Sequence, residues 1–238
     1  MQDLREPQND IHREARLLLR AARAASLAVI EDEYPALALV TPAVTLDGAV
    51  IVLLSQLSAH TRALDRDGRC ALMVSGAATE VNPQTSPRLS LVCDAERSDD
   101  PADRARYLAV HPYAKFYAGF GDFGVYRLST VAARYVGGFA RAATLDVARL
   151  GPMTEALCDE AAAEAAMAAA NRERAGEIDA MAHRHGGAGD GWRMVTLDAD
   201  GFDLAREDRV LRVALRRSLR VYGELMIEMN NIAPPTQV

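Results

Sequence analysis

Lysine is nearly missing from this 238-residue chain, in which Lys115 is the only one, and the formal net charge is -6 at pH 7. This shortage of positive charge argues against general electrostatic binding to nucleic acid or to anionic membranes, because both need an excess of basic side chains. Any anion site must therefore be local. No apolar run is long enough to cross a bilayer or to act as a secretory signal, which predicts a cytoplasmic protein.

Cysteine is also scarce, and Cys70, Cys93 and Cys158 lie far apart without a C-x-x-C pair. Their spacing argues against a disulfide framework and against a zinc site. Cys70 and Cys93 lie in apolar strand-like runs, so we expect buried free thiols there. A reducing compartment agrees with that expectation.

The first 148 residues have the pattern of one domain with many short strands. Apolar residues recur at helical spacing over residues 11–25, which predicts an amphipathic helix. Turn residues and apolar runs predict a short helix over residues 58–65, a helix over residues 101–110 and seven strands. The predicted strands cover residues 26–30, 35–45, 49–55, 70–74, 88–96, 124–129 and 132–136. The first three are expected to be adjacent and antiparallel.

Residues 149–238 form a second predicted domain of the α+β class. Residues 152–181 are rich in alanine and glutamate, which predicts one long helix or two consecutive helices. A small antiparallel sheet follows, with predicted strands at residues 192–197, 202–204 and 210–215. The spacing then predicts a closing helix over residues 216–230.

The polar residues that follow the apolar run 49–54 carry the clearest functional signal. Ser58 is placed to cap the following helix by accepting a hydrogen bond from its free amides. Those amides, the Thr61 hydroxyl and the Arg62 guanidinium can then converge on one phosphate group. An ordinary capped helix, with His60 and Arg62 in solvent, is the alternative.

These features together resemble the FMN-binding split β-barrel of the pyridoxamine 5′-phosphate oxidase-like superfamily, and within it the HugZ-like haem-utilisation branch. The resemblance is carried by residues 54–64, 87–91, 111–117 with 120–123, and 136–142. It implies an α+β fold in which an antiparallel split β-barrel of the FMN-binding type is followed by a small α+β C-terminal domain.

The resemblance also implies a homodimer that binds FMN in the groove between its subunits and acts as an oxidoreductase on a small-molecule substrate. Hydroxyl and basic side chains at a strand exit hold the flavin phosphate in such barrels. The residues at the matching positions are Ser55, His60, Thr61 and Arg62. Two further candidates, Arg88 and Lys115, would otherwise form ordinary surface ion pairs.

Two departures from the family's pattern weaken a haem-degrading role. Residues 171–181 lack the histidine of an Asn-x-Asp-His-like signature that relatives often carry, and no histidine follows His185. Haem binding in the same groove is the alternative hypothesis, with four possible iron ligands: His60, His111, His183 and His185. A barrel without a cofactor that serves as an interaction scaffold is the third hypothesis.

His111 and the aromatic stretch after it favour structural roles. His111 ends a predicted helix, where an imidazolium is stabilised by the negative end of the helix dipole. The aromatic side chains that follow are expected to build the core or the contact between subunits. They are Phe116, Tyr117, Phe120 and Phe123.

Overall fold

The computed structural model describes residues 10–78, 81–138 and 141–232. Part of the 136–142 motif lies outside these ranges. The helices are α1 Ile11–Ala21, α2 Ala59–Arg66, α3 Pro101–Val110, α4 Glu160–Glu173, α5 Ala175–Arg184 and α6 Leu225–Glu228. The strands are β1 Ala25–Glu31, β2 Tyr34–Val40, β3 Pro42–Val44, β4 Val50–Ser55, β5 Arg69–Ser75, β6 Arg88–Ser98, β7 Phe123–Val136, β8 Ala142–Leu145, β9 Arg193–Asp198, β10 Gly201–Arg206 and β11 Arg209–Ala214.

The larger sheet is antiparallel and curls into a half-barrel, with strands in the order β2-β1-β5-β6-β7-β4-β3 and with β8 paired to β7. Its side chains alternate between two faces, as β6 illustrates: Leu89, Leu91 and Cys93 are buried, whereas Ser90 and Val92 are exposed. The buried face packs with α1 and α2 into the main hydrophobic core. The α+β split-barrel fold expected from the sequence is confirmed.

The segment predicted as one strand over residues 35–45 is two strands at opposite ends of the sheet, so that prediction was wrong. β2 pairs with β1, and β3 pairs with β4. Pro42 begins β3 and has no N–H group with which to extend the ladder of β2. The chain therefore leaves one edge at Thr41 and rejoins the sheet at the other.

The strands predicted at residues 124–129 and 132–136 are one continuous strand, β7. Opposite β6, Ala132 pairs with Val92 and Thr130 pairs with Cys93, which leaves Val131 as an extra residue. Such a bulge bends a strand without ending it. The sequence pattern showed the interruption but not that pairing continues across it.

The predicted closing helix over residues 216–230 is also wrong, because helical structure there is limited to a 3-10 turn at Tyr222–Glu224 and the short α6. Two backbone amides in this segment make tertiary hydrogen bonds instead of helical ones. The Leu219 amide donates to the Ala199 carbonyl at 2.7 Å, and the Arg216 amide donates to the Asn231 carbonyl at 3.1 Å. The preceding helices agree with the alternative of two consecutive helices, α4 and α5.

Three buried aspartates join the smaller sheet, β11-β10-β9, to the rest of the structure. They are Asp198, Asp200 and Asp203, and we call them the aspartate cluster. The arginines that pair with it come from α1, its C-terminal flank, α3 and β11: Arg16, Arg20, Arg23, Arg106 and Arg212. The division into domains 1–148 and 149–238 stays a prediction, and Leu46 already packs in the hydrophobic cluster of the smaller sheet.

The cysteines are free, as expected: Cys70 and Cys93 are buried opposite each other on β5 and β6, and Cys158 is exposed. Within the described residues, no helix has the length and apolar character needed to cross a bilayer.

Candidate functional site

The exit of β4 is tied to the loop that precedes β7. The Ser55 hydroxyl donates to the Asp122 carboxylate at 2.5 Å and accepts from the Leu57 amide at 3.2 Å. The Gln56 amide donates to the Asp122 carbonyl at 2.8 Å. The negatively charged Asp122 carboxylate therefore contacts the same hydroxyl that was predicted to bind a phosphate. No local pattern predicts this contact, because its partners are 67 residues apart.

Ser58 and Thr61 do not form the predicted anion site with Arg62. Ser58 occupies the N-cap position of α2, but its side chain makes no capping hydrogen bond. Thr61 is fully buried, because it lies on the face of α2 that also buries Ala63 and Leu64. Within the described residues of this chain, the three predicted donors therefore do not converge on one point.

Arg62 is at the surface and holds the turn between β4 and α2. Its guanidinium donates to the Leu57 carbonyl at 2.6 Å and to the Gln56 carbonyl at 3.4 Å. These hydrogen bonds leave other N–H groups of the guanidinium free for a ligand, since arginine carries five.

Arg88 lies at the other end of β7 from Ser55. Ser55 pairs with Phe123, at the start of β7, whereas Arg88 pairs with Val136, at its end. At about 3.3 Å per residue, these two ends are roughly 40 Å apart along the strand. Arg88 instead donates to the Gln84 carbonyl at 2.8 Å. A single site that uses both Ser55 and Arg88 would need two chains.

Lys115 is exposed in the 3-10 helix Pro112–Phe116, on the segment that leads to Asp122. Asp122 contacts the β4 exit through Ser55, so Lys115 lies on a segment that reaches this exit. Ser55, His60 and Arg62 lie at the β4 exit itself, whereas Arg88 lies elsewhere.

Three of the four histidines considered as iron ligands already use a ring nitrogen. His183 Nε2 lies 3.0 Å from the Gly189 carbonyl, and His185 Nδ1 lies 2.9 Å from the Met181 carbonyl. His111 Nε2 donates to the Pro42 carbonyl at 2.8 Å. His111 is the C-cap of α3, as expected, and burial lowers its pKa, which favours the neutral ring over the predicted imidazolium.

His60 differs from these three, because neither of its ring nitrogens has a hydrogen-bond partner among residues 10–78, 81–138 and 141–232. It lies in the first turn of α2 and is half-buried. Burial lowers the pKa of His60, and the nearby Glu31 carboxylate only partly opposes that effect. The imidazole is therefore neutral at neutral pH, which is the form that binds metals.

Comparisons with known proteins find solved structures that share the fold. A protein of unknown function from Agrobacterium tumefaciens has a TM-score of 0.71 at 25% identity, with 97% of this chain and 99% of that chain covered. A heme binding protein from Mycobacterium smegmatis has a TM-score of 0.57 at 25% identity, with 95% and 96% covered. The resemblance to the pyridoxamine 5′-phosphate oxidase-like split barrels and their haem-utilisation branch is thereby confirmed.

A curated relative of this split-barrel protein is the chloroplastic heme oxygenase HOZ of Arabidopsis thaliana, which is 36% identical over 114 residues. The match covers 47% of the chain and 34% of the relative, so the chain spans about a third of that relative's length. No protein-family model matches the chain.

The buried Thr61 hydroxyl of this split-barrel protein leads to a testable prediction. Its oxygen has no hydrogen-bond partner in the described part of the chain. An unpaired buried polar group costs about 1–3 kcal/mol, so Thr61→Val should raise the free energy of unfolding, measured by urea denaturation, by about 1 kcal/mol.

Thr41→Val is the matched control, because the Thr41 hydroxyl is 2.7 Å from the Tyr107 hydroxyl. That variant should lose stability. A loss of stability in Thr61→Val as well would contradict the prediction and show that the hydroxyl has a partner.

Proposed function

We propose that this protein binds haem at the β4 end of its split barrel, with His60 as the ligand of the iron. The observation that carries the proposal is the neutral, half-buried imidazole of His60, which has no hydrogen-bond partner in the described part of the chain and shares α2 with Arg62. Neutral histidine is a common axial ligand of haem iron. The names of the Mycobacterium and Arabidopsis relatives, a heme binding protein and a heme oxygenase, support the same cofactor.

The residues at this site fit haem in two respects. An imidazole without a competing hydrogen bond can coordinate iron without losing a protein contact. Arg62 and Lys115 supply positive charge at the same end of the barrel, which suits the carboxylates of the porphyrin. Bound haem would supply redox chemistry, and the role of this chain's residues is to bind and orient it.

An FMN-dependent oxidoreductase acting on a small molecule is the second candidate function. It is favoured by the exposed Arg62 guanidinium beside the Ser55 hydroxyl at the strand exit. Asp122 opposes it, because a carboxylate on the Ser55 hydroxyl repels a flavin phosphate. The buried Thr61 and the distant Arg88 also leave the phosphate with fewer partners than the family pattern implies.

A titration with ferric haem tests the proposal. The wild-type protein should give a sharp Soret shift, and His60→Ala should abolish it or weaken binding by about tenfold or more, as expected when the only protein ligand of the iron is removed. His183→Ala is the control, because that ring is exposed and bonded to a carbonyl, and its titration should match the wild type. An unchanged Soret shift in His60→Ala would exclude His60 as the ligand.

A parallel titration with FMN, followed by quenching of flavin fluorescence, separates the candidates. Quenching that is lost in Arg62→Ala, with a featureless haem spectrum, would favour the flavin function. Binding of neither cofactor would favour an interaction scaffold.

We also propose that the protein is a homodimer that pairs through the outer face of the larger sheet. The strand register aligns Leu37, Ala28, Ala71, Val92 and Ala132 in one row across five strands. These apolar side chains point away from the core, and Leu37 and Val92 are mostly exposed. A contiguous exposed apolar surface of this kind marks an interface.

The three free thiols agree with a reducing compartment, and the cytoplasm remains our proposal for the location of the protein.

A further inference from the structure

Three large apolar side chains are exposed together at the β4 end of the barrel. Leu57 is 77% exposed, Phe116 is 83% exposed and Phe120 is 52% exposed. The rings of Phe116 and Phe120 contact each other edge to face, with centroids 6.1 Å apart. Of the two roles expected for these aromatic residues, the core is therefore excluded for Phe116 and Phe120, and a contact between subunits stays a prediction. Tyr117 and Phe123 do pack against a buried cluster. We call Leu57, Phe116 and Phe120 the aromatic platform.

Backbone hydrogen bonding brings the platform and His60 to one surface. The Gln56 amide donates to the Asp122 carbonyl, so the turn after β4 lies against the loop before β7. Leu57 directly follows Gln56, and Phe120 is two residues from Asp122, a distance of at most about 7 Å along an extended chain. His60 follows Leu57 by three residues, which is less than one helical turn.

Two cationic residues neighbour residues of the platform, one along the chain and one by a hydrogen bond. Lys115 directly precedes Phe116 and is exposed. The Arg62 guanidinium rests on the Leu57 carbonyl at 2.6 Å. Two acidic groups are also described here: Asp122 accepts a hydrogen bond from Ser55, and Glu31 lies near His60. The surface thus combines exposed apolar side chains with two neighbouring cations.

We infer that the aromatic platform is the surface on which the porphyrin ring of haem rests, with Lys115 and Arg62 pairing with its carboxylates; this inference depends on the proposed function. A porphyrin is flat, apolar over its face and carries two carboxylates at one edge. Aromatic side chains bind such faces by offset stacking or by edge contacts. The platform provides binding energy for the ring, whereas His60 provides the bond to the iron.

Metal-free protoporphyrin IX distinguishes these two roles, because it has the ring and the carboxylates but no iron. Its binding can be followed by its own fluorescence. The double variant Phe116→Ser with Phe120→Ser should bind it about tenfold more weakly than the wild type. His60→Ala should bind it as tightly as the wild type, although it loses the Soret shift with haem. Lys115→Gln should weaken binding of the free acid but not of the porphyrin dimethyl ester.

Ile227→Ser serves as the matched control, because Ile227 is an exposed apolar residue on α6, in the other part of the molecule. It should leave porphyrin binding unchanged. Circular dichroism should show that all variants fold, since the replaced side chains are exposed or, at His60, half-buried. Equal affinity of the double platform variant and the wild type for protoporphyrin IX would overturn the inference, even if His60→Ala confirms the iron ligand.

A second copy of the chain is the other possible occupant of the platform, and sedimentation velocity tests for it. A double platform variant that becomes monomeric, while its affinity for the porphyrin is unchanged, would show that the platform is a subunit contact and would also overturn the inference. If ferric haem gives no Soret shift with the wild type but protoporphyrin IX binds to the platform, the assignment of His60 fails and the platform stands.

Discussion

Asp198→Asn should lower the free energy of unfolding by about 3–5 kcal/mol, measured by urea denaturation at neutral pH, because it removes one partner from a buried ion-pair network. The Asp198 carboxylate accepts hydrogen bonds from Arg212 at 2.7 and 2.8 Å. It also lies 3.5 Å from both Arg20 and Arg106. All four side chains are buried, so the change leaves three guanidinium groups with less compensating charge in a medium of low dielectric.

Because Asp198→Asn keeps the shape of the side chain, it removes the charge without changing the packing. Asparagine has nearly the volume of aspartate, so no cavity forms. Asp67→Asn is the matched control, because Asp67 pairs with Arg69 at the surface, at 2.6 Å. That variant should show no resolvable change in the urea midpoint, since solvent screens exposed pairs. Similar losses in the two variants would contradict the view that burial makes the Asp198 network important.

The same network makes the free energy of unfolding depend on pH in the acid range. Burial alone would raise the pKa of Asp198, but Arg20, Arg212 and Arg106 outweigh it, and the pKa falls below its usual 3.8. The pKa values of Asp200 and Asp203 are lowered by neighbouring arginines in the same way. A carboxylate with a lowered folded pKa contributes stability above its unfolded pKa, and the contribution is lost as the pH falls below that value.

Stability should therefore decline as the pH falls through and below 3.8, the ordinary value for these groups. The decline should be smaller in Asp198→Asn, because one of the three carboxylates that must be protonated is gone. Urea midpoints measured for both proteins from neutral to acid pH give the comparison. Equal slopes would contradict the role of Asp198.

Local patterns in the sequence predicted most individual elements but not how they connect. The apolar run of β4 and the alternation of β6 each depend on residues close in sequence, and both were predicted correctly. The separation of β2 from β3 depends on which strands they pair with, which is a property of the whole sheet. The predicted helix after residue 216 failed for a similar reason, because Leu219 bonds to Ala199 rather than to its own helix.

The candidate site shows the same limit. Spacing alone placed His60 and Arg62 at a strand exit, and the structure agrees. Spacing did not predict that Thr61 points into the core, because it does not show which face of α2 packs against the core. It also missed the pairing of Ser55 with Asp122 and of Arg16 with Asp200, whose partners are 67 and 184 residues apart. Contacts over such separations follow from the fold and not from local pattern.

Leu37→Asp should convert a homodimer to a monomer, measured by sedimentation velocity. Leu37 is 78% exposed on β2, which is the edge strand of the sheet, and it begins the apolar row that ends at Ala132. An aspartate there would bury two like charges without partners if the row contacts the same row of a second chain. The fold should survive, because the side chain makes no contribution to the core.

Ile227→Asp is the control for Leu37→Asp, because it introduces the same charge at an exposed apolar residue outside the row. It should leave the dimer intact, and an unchanged mass for Leu37→Asp would contradict the proposed interface.

The monomeric variant also distinguishes haem binding from FMN binding. Haem bound through His60 and the aromatic platform needs one chain only and should survive dissociation. A flavin site that uses both Ser55 and Arg88 needs two chains, because these residues lie at opposite ends of β7, and it should be lost.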